Sequence, residues 1–109
     1  MRAYFVCTVR VDDPETYKLY TAQTPALIAK HGGRFLVRGG AVETVEGPAF
    51  GDRLVVLEFP SKEAAKAFYN SPEYQAVAVH RHASAESTFL LAEGAPDDGV
   101  PDAQVVKSE

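Results

Sequence analysis

The chain has 109 residues, of which 46% are hydrophobic and 24% are charged, and these proportions predict one ordinary globular domain. Its formal net charge of −4 argues against a nucleic-acid or anionic-membrane surface as a partner, because both need a basic footprint.

The first predicted strand is residues 2–11, RAYFVCTVRV, which are rich in β-branched and aromatic side chains. The following DDPETY predicts a helix start, with Asp13 as the cap and Pro14 in the first helical position. Pro25 lies inside this helix and removes a backbone donor, so we expect a kink there. Gly32 and Gly33 end the helix.

Residues 34–46 are predicted to form the second strand and residues 53–59 the third, joined as an antiparallel hairpin because they are close in sequence. Ser61 is expected to cap a second helix. Ser71 restarts this helix with a proline after it, and the helix runs to about His82.

Residues 87–93, STFLLAE, predict a fourth strand. The domain is thus expected to span residues 1–94, and the Gly-, Pro- and acid-containing residues 95–109 to form a flexible C-terminal tail. The order β-α-β-β-α-β predicts an α+β, ferredoxin-like fold, in which a four-stranded antiparallel sheet carries its helices on one face.

The predicted strands are apolar on both sides. In the first strand Phe5, Cys7 and Val9 share one face, while Tyr4 and Val6 share the other. Since two helices cover only one face of the sheet, we expect a homodimer in which two sheets pack against each other.

Several spaced segments resemble domain-of-unknown-function family 1330: RVDDPETYKLY, GGRFLVRGGAVETVEG, RLVVLEFPSKEAAKAFYNSPEYQ and the following Arg81. The resemblance covers roughly residues 2–94. It implies a dimeric α+β barrel, from a superfamily that includes cofactor-free monooxygenases, isomerase- and dehydratase-like enzymes, haem-handling proteins and ligand-sensing modules. Phe68 stands where the family often has Trp, which could alter the shape of a pocket.

Arg38 is the first candidate for a site. Strict alternation places it on one face of the second strand with Leu36, and a turn near Pro48 places it opposite Glu58. An Arg38–Glu58 ion pair is one interpretation. The other is an anion-binding arginine that grips a substrate carboxylate, with Glu58 in the same substrate site.

Gly39 and Gly40 follow directly. They predict either a β-bulge that bends the strand or a close approach of the backbone by a ligand or helix.

The three histidines are the obvious proton carriers. His80 and His82 are two apart on a helix and point away from each other, and no carboxylate cluster accompanies them, so we expect no metal. His31 suits the end of the first helix. His80 stays a candidate acid or base, and no organic cofactor is expected because no nucleotide fingerprint is present.

Arg81 ends the second helix, where it could cap carbonyl groups. The family resemblance suggests instead a second anion contact beside Arg38. Tyr17 and Tyr20, three apart, lie on one helix face and could place a hydroxyl in a helix–sheet pocket. Cys7 is expected to be a buried, inert thiol.

These residues leave different functions open. One is a cofactor-independent enzyme that acts on a small anionic or carbonyl-bearing metabolite, with Arg38 and His80 as catalytic candidates. Another is a non-catalytic ligand-binding or stress-related dimeric module, and a third is a purely structural dimer. A pocket of about 300 Å³ or more beside Arg38 would favour the first two.

The expected location is the cytoplasm. The chain starts with a strand-like segment, no apolar run is long enough to span a bilayer, and the single cysteine precludes a disulfide within the chain.

Overall fold

The computed structural model describes residues 1–96. They follow the predicted order of strands and helices, including the restart of the second helical region at Ser71, except that the first helical region is also divided in two. The elements are β1 (Ala3–Val11), α1 (Pro14–Thr21), α2 (Thr24–Lys30), β2 (Arg34–Arg38), β3 (Arg53–Phe59), α3 (Lys62–Asn70), α4 (Pro72–Ser84) and β4 (Ala85–Glu93).

The four strands form one antiparallel sheet in the order β2-β3-β1-β4. β1 lies in the middle, where its Phe5 pairs with Leu57 of β3 on one side and with Leu91 of β4 on the other. The helices cover one face of this sheet, so the predicted ferredoxin-like α+β architecture is confirmed.

The starts of α1, α3 and α4 are capped by short polar side chains, as predicted. Asp13 accepts a hydrogen bond from the backbone N–H of Thr16, and Ser61 accepts one from that of Ala64. Ser71 accepts a bond from the Tyr74 N–H at 3.1 Å. Each bond satisfies a backbone donor that the first helical turn would otherwise leave without a partner.

The predicted kink at Pro25 is a complete break. α1 ends at Thr21, and a new helix starts at Thr24 with Pro25 in its first turn. Proline has no N–H to continue the first helix, but its fixed φ suits the start of another.

β2 is shorter than predicted, since it ends at Arg38 rather than at residue 46. Its register with β3 shifts between Phe35 and Val37, so the bulge lies at Leu36 and not at the two glycines. Gly39 leaves the strand with a positive φ of 70°, and residues 40–52 connect to β3.

The two faces of the sheet differ in cover. The helix-covered face is the core, and its most buried members include Phe5, Cys7, Val9, Leu57, Phe59, Phe68 and Tyr74. On the opposite face Val6 lies between Val56 and Leu90 across the strands, and Leu90 is 59% exposed. This second apolar face has no cover within residues 1–96.

The predicted tail, residues 95–109, lies outside the described residues apart from Ala95 and Pro96. Among residues 1–96, no helix has the length and apolar character needed to cross a membrane.

Candidate functional site

A narrow pocket lies between the helix-covered face of the sheet and helices α1 and α2. Its volume is about 40 Å³. The lining is mainly apolar, with polar tips from tyrosine, threonine, cysteine and arginine: Cys7, Val9, Tyr17, Tyr20, Thr21, Thr24, Ile28, Phe35, Arg38, Arg53, Val55, Leu57 and Phe89. We call this space the inner pocket.

The inner pocket adjoins a wider, more open cleft of about 540 Å³, which we call the outer cleft. Tyr17, Thr21, Arg38 and Arg53 line both spaces and therefore mark the junction between them. The volume expected for a small-molecule site is reached in the outer cleft and not in the inner pocket.

The bulge at Leu36 decides where Arg38 points. Strict alternation put Arg38 on a face with Leu36, but the extra residue returns it to the face of Phe35. Its guanidinium lies 4.3 Å from the centre of the Phe35 ring, and its strand partner is Val55. The predicted Arg38–Glu58 ion pair is therefore wrong.

Glu58 lies on the opposite face of the sheet. Its carboxylate accepts a hydrogen bond from Arg34 Nε at 2.8 Å and one from the Tyr4 hydroxyl at 3.1 Å. The Arg34 bond is the main reason why the pKa of Glu58 is below its ordinary value. Glu58 lines neither the inner pocket nor the outer cleft, so its prediction as a substrate-binding residue of this site is corrected.

Arg53 is a site residue that the sequence analysis missed. Its guanidinium lies directly against the Cα of Gly39, where any Cβ would collide with Nη1 and Cζ. Its Nε is buried without a hydrogen-bond partner. Alternation along β3 could have identified it, because Arg53 shares a face with Val55 and Leu57.

Gly39 therefore has a specific role. The predicted close approach is correct in kind, but the approaching group is the side chain of Arg53 rather than a ligand or helix. Gly40 has open space around it, so nothing in its surroundings requires a glycine.

Arg81 lies behind the inner pocket and is only 3% exposed. Its guanidinium sits 4.2 Å from the ring centre of Phe89 and 5.7 Å from that of Tyr20, two residues of the pocket wall. Nη1 donates to the Ser87 hydroxyl, while Nε is buried without a partner. Arg81 thus places a cation behind the pocket wall instead of capping the end of its helix.

The tyrosines form the polar part of the site. The hydroxyls of Tyr20 and Tyr74 are hydrogen bonded at 2.6 Å in the buried interior, and Tyr17 reaches the junction. Burial raises the pKa of Tyr17 despite the opposing charge of Arg53, and burial together with Tyr74 raises the pKa of Tyr20. Both phenols are therefore neutral near pH 7.

Cys7 forms part of the floor and is 1% exposed. Burial raises the pKa of its thiol to about 12, although the charge of Arg81 acts in the opposite direction. A neutral, buried thiol agrees with its predicted inert role.

The histidines lie elsewhere. His80 is half-buried on α4, and His82 is exposed on the same helix; neither lines the inner pocket or the outer cleft. His31 Nδ1 lies 3.0 Å from the Leu27 carbonyl oxygen. His80 is therefore no acid or base of this pocket. Residues 1–96 contain no group of three His, Cys, Asp or Glu that could hold a metal.

The charge around the pocket is positive and uncompensated. Within residues 1–96 the ion pairs are made by five other cations: Arg2, Arg10, Lys18, Lys30 and Arg34. Arg38, Arg53 and Arg81 have no carboxylate partner there, and no Asp or Glu lines the inner pocket or the outer cleft. Such a site can attract an anion.

Solved structures resemble this fold at low sequence identity. A protein of unknown function from Rhodopseudomonas palustris, RPA0582, is 19% identical with a TM-score of 0.73, over 87% of this chain and 83% of that one. SnoaB, a cofactor-independent oxygenase from Streptomyces nogalater, is 19% identical with a TM-score of 0.60, over 91% and 98% of the two chains.

A dimeric protein of unknown function and ferredoxin-like fold from Bacteroides fragilis is 14% identical with a TM-score of 0.50, over 85% of this chain and 96% of that one. At these identities the likeness is one of fold. A comparison with curated proteins found no match. The family model described as "Domain of unknown function (DUF1330)" matches residues 2–95, nearly all of the described fold, and the chain belongs to this family.

Proposed function

We propose that this protein binds a small anionic or carbonyl-bearing metabolite between its sheet and helices α1 and α2, and converts it as a cofactor-independent enzyme. The anion would lie at the junction of the inner pocket and the outer cleft, which Arg38 and Arg53 both line.

The observation that carries this proposal is the uncompensated charge of Arg38 and Arg53. Three other arginines of the described residues, Arg2, Arg10 and Arg34, make ion pairs, Arg34 with Glu58 at 2.8 Å. Both junction arginines lack a carboxylate partner there. Guanidinium groups remain protonated at any physiological pH and present forked donors that suit a carboxylate or an enolate oxygen.

The same groups could assist a reaction. Negative charge that develops on a substrate oxygen would be stabilised by Arg38 and Arg53 in a site whose other walls are largely apolar. The Tyr17 phenol, which is neutral because burial raises its pKa, would donate a hydrogen bond to that oxygen.

A screen of small carboxylic and carbonyl metabolites tests the proposal, with binding followed by thermal stabilisation and consumption by mass spectrometry. Arg38→Ala and Arg53→Ala should abolish both binding and consumption while the fold survives. Arg34→Ala is the matched control, because it removes a strand arginine from the opposite face. Wild-type binding in both junction variants would overturn the proposed site.

A non-catalytic binding module is the second candidate. It is favoured by the lining of the inner pocket and the outer cleft, which contains no histidine or carboxylate to act as a base near neutral pH. A ligand that binds through Arg38 and Arg53 but is recovered chemically unchanged after long incubation would select this function over the enzyme.

We also propose that the protein is a homodimer in which a second copy covers the open apolar face. The support is the half-buried or exposed row of Val6, Val56 and Leu90 on a sheet whose other face already carries all the helices. The structurally similar protein from Bacteroides fragilis is described as dimeric, and shares the fold.

A further inference from the structure

We infer that the ligand is a monocarboxylate with a short apolar tail of about three carbon atoms, whose carboxylate lies between Arg38 and Arg53 and whose tail fills the inner pocket. This inference rests on the proposed function, since it names the chemical class that the same site would take.

The size of the inner pocket sets the length of the tail. The inner pocket, at about 40 Å³, is far smaller than the roughly 300 Å³ of a drug-sized site, so it suits a short chain of about three carbon atoms rather than a ring or a long chain. Its apolar walls come from Val9, Ile28, Val55, Leu57 and Phe89. An apolar group gains most from such walls because it leaves no polar atom without a partner.

The position of the two arginines sets the orientation of the ligand in the site. Arg38 and Arg53 line both spaces, whereas the apolar walls named above line the inner pocket and not the outer cleft. Each guanidinium is held in place, one over the Phe35 ring and the other against Gly39. An anionic group therefore stays at the junction while an attached tail points inward.

The donors at the junction favour a carboxylate over a phosphate. Protein phosphate sites commonly use free backbone N–H groups at a helix start or in a glycine-rich loop. Here the Gly39 N–H already donates to the Leu54 carbonyl at 2.9 Å. The start of α1, whose Pro14 reaches the outer cleft, is already capped by the Asp13 carboxylate.

The remaining cation of the outer cleft is engaged. Lys18 Nζ donates to Glu15 at 3.2 Å, which leaves the two arginines as the unpaired positive groups at the junction. Two guanidiniums can share one carboxylate through its two oxygens.

The inference is tested by titrating the labelled full-length protein with acetate, propionate, butyrate, hexanoate and octanoate, and following the backbone amide signals of Gly39 and Val55 by NMR. Affinity should rise roughly fourfold per methylene up to butyrate, as expected for the burial of each CH₂ group, and then level off or fall. Butyramide and butyl phosphate are the comparison probes, and both should bind more weakly than butyrate.

Two variants of Val55 test whether the tail lies in the inner pocket. Val55→Phe fills the pocket from a half-buried strand position and should move the best ligand to a shorter chain, whereas Val55→Ala should move it to a longer one. Val79→Phe adds the same atoms at a helix position that is 61% exposed, and should leave the chain-length profile unchanged.

The outcomes separate this inference from the proposed function. The short apolar tail is overturned if affinity is independent of chain length, if it keeps rising up to octanoate, or if neither Val55 variant changes the chain-length profile. Binding of butyl phosphate that is stronger than that of butyrate overturns the choice of a carboxylate. If one of these results is found but carboxylate binding is still lost in Arg38→Ala and Arg53→Ala, the proposed anion site is retained and only the inference about the ligand is rejected. Unchanged carboxylate binding in those two variants overturns both.

Discussion

The guanidinium of Arg53 lies against the bare Cα of Gly39, in the space that any other residue would fill with a Cβ. Gly39 also follows directly after β2 and has a positive φ of 70°. One glycine thus combines a backbone conformation that larger residues disfavour with the close packing of a site arginine. This contact accounts for the first glycine of the Arg-Gly-Gly sequence, Gly39, but not for Gly40.

Gly39→Ala should therefore impair both stability and binding. We expect a loss of about 1–2 kcal/mol in the free energy of unfolding, from the positive φ and the displaced Arg53. Binding of a carboxylate should weaken roughly tenfold, as for the loss of one charge-assisted hydrogen bond. Urea unfolding and NMR titration measure the two effects.

Gly40→Ala is the matched control for that substitution. Gly40 has open space where a Cβ would lie and has no positive φ, so stability and binding should both stay near wild type. Equal effects at the two glycines would contradict the role assigned to Gly39.

The buried pair of Tyr20 and Tyr74 should show strong energetic coupling. Their hydroxyl oxygens lie 2.6 Å apart, and each residue is at most 8% exposed. Tyr74→Phe should cost about 1–3 kcal/mol, because it leaves the Tyr20 hydroxyl buried without this partner. The double variant with Tyr20→Phe should cost less than the sum of the single variants, measured by denaturant unfolding. Strict additivity would exclude a significant bond.

Stability should fall in acid through Glu58. The Arg34 hydrogen bond lowers the pKa of Glu58 in the folded state below 4.5, the ordinary value. A lowered carboxyl pKa gives a stabilisation that is complete above the unfolded-state pKa and is lost as pH falls through the folded-state pKa. Unfolding temperatures recorded from pH 6 to pH 3 should therefore fall less steeply in Glu58→Gln than in wild type.

Glu43→Gln is the control for this pH dependence, because Glu43 lies in the exposed connection between β2 and β3 and makes no ion pair within the described residues. This substitution should leave the fall of the unfolding temperature below pH 4.5 as steep as in wild type. If unfolding temperature depends on pH in the same way in Glu58→Gln and wild type, the hydrogen bond from Arg34 does not stabilise the ionised Glu58 carboxylate.

The open face of the sheet should be sensitive to charge. Leu90→Glu places a carboxylate among Val6 and Val56, so it should convert the proposed dimer to monomers at micromolar concentration, as measured by analytical ultracentrifugation. Leu19→Glu, at a helix position that is 52% exposed, should leave the mass unchanged. A monomeric wild-type protein would refute the dimer directly.

Much of the fold could be predicted from the sequence because its signals are local. Ser61 and Ser71 stand before helical segments and cap them, and the β-branched runs of β1 and β3 form the expected strands. Pro25 was placed correctly as a disturbance, but whether a proline kinks or breaks a helix depends on the packing on either side.

The site was harder to predict because it depends on register. One extra residue at Leu36 reverses the face of everything after it, and nothing local in FLVRGG shows which residue bulges. Arg38 was identified as a candidate with the wrong neighbours for this reason. Arg53 is hard to single out from the sequence because the space that its guanidinium fills, beside the bare Cα of Gly39, lies just after the end of β2.

The bulge at Leu36 also affects how relatives should be aligned. An arginine matched column by column to Arg38 reaches the pocket only if the strand before it carries the same extra residue. In a relative that is one residue shorter at this point, the matched arginine would point away from the helices, on the open face of the sheet. The neighbouring residue would point into the pocket instead. Within this family, the length of one short strand is therefore as informative about the ligand as the identity of the arginine.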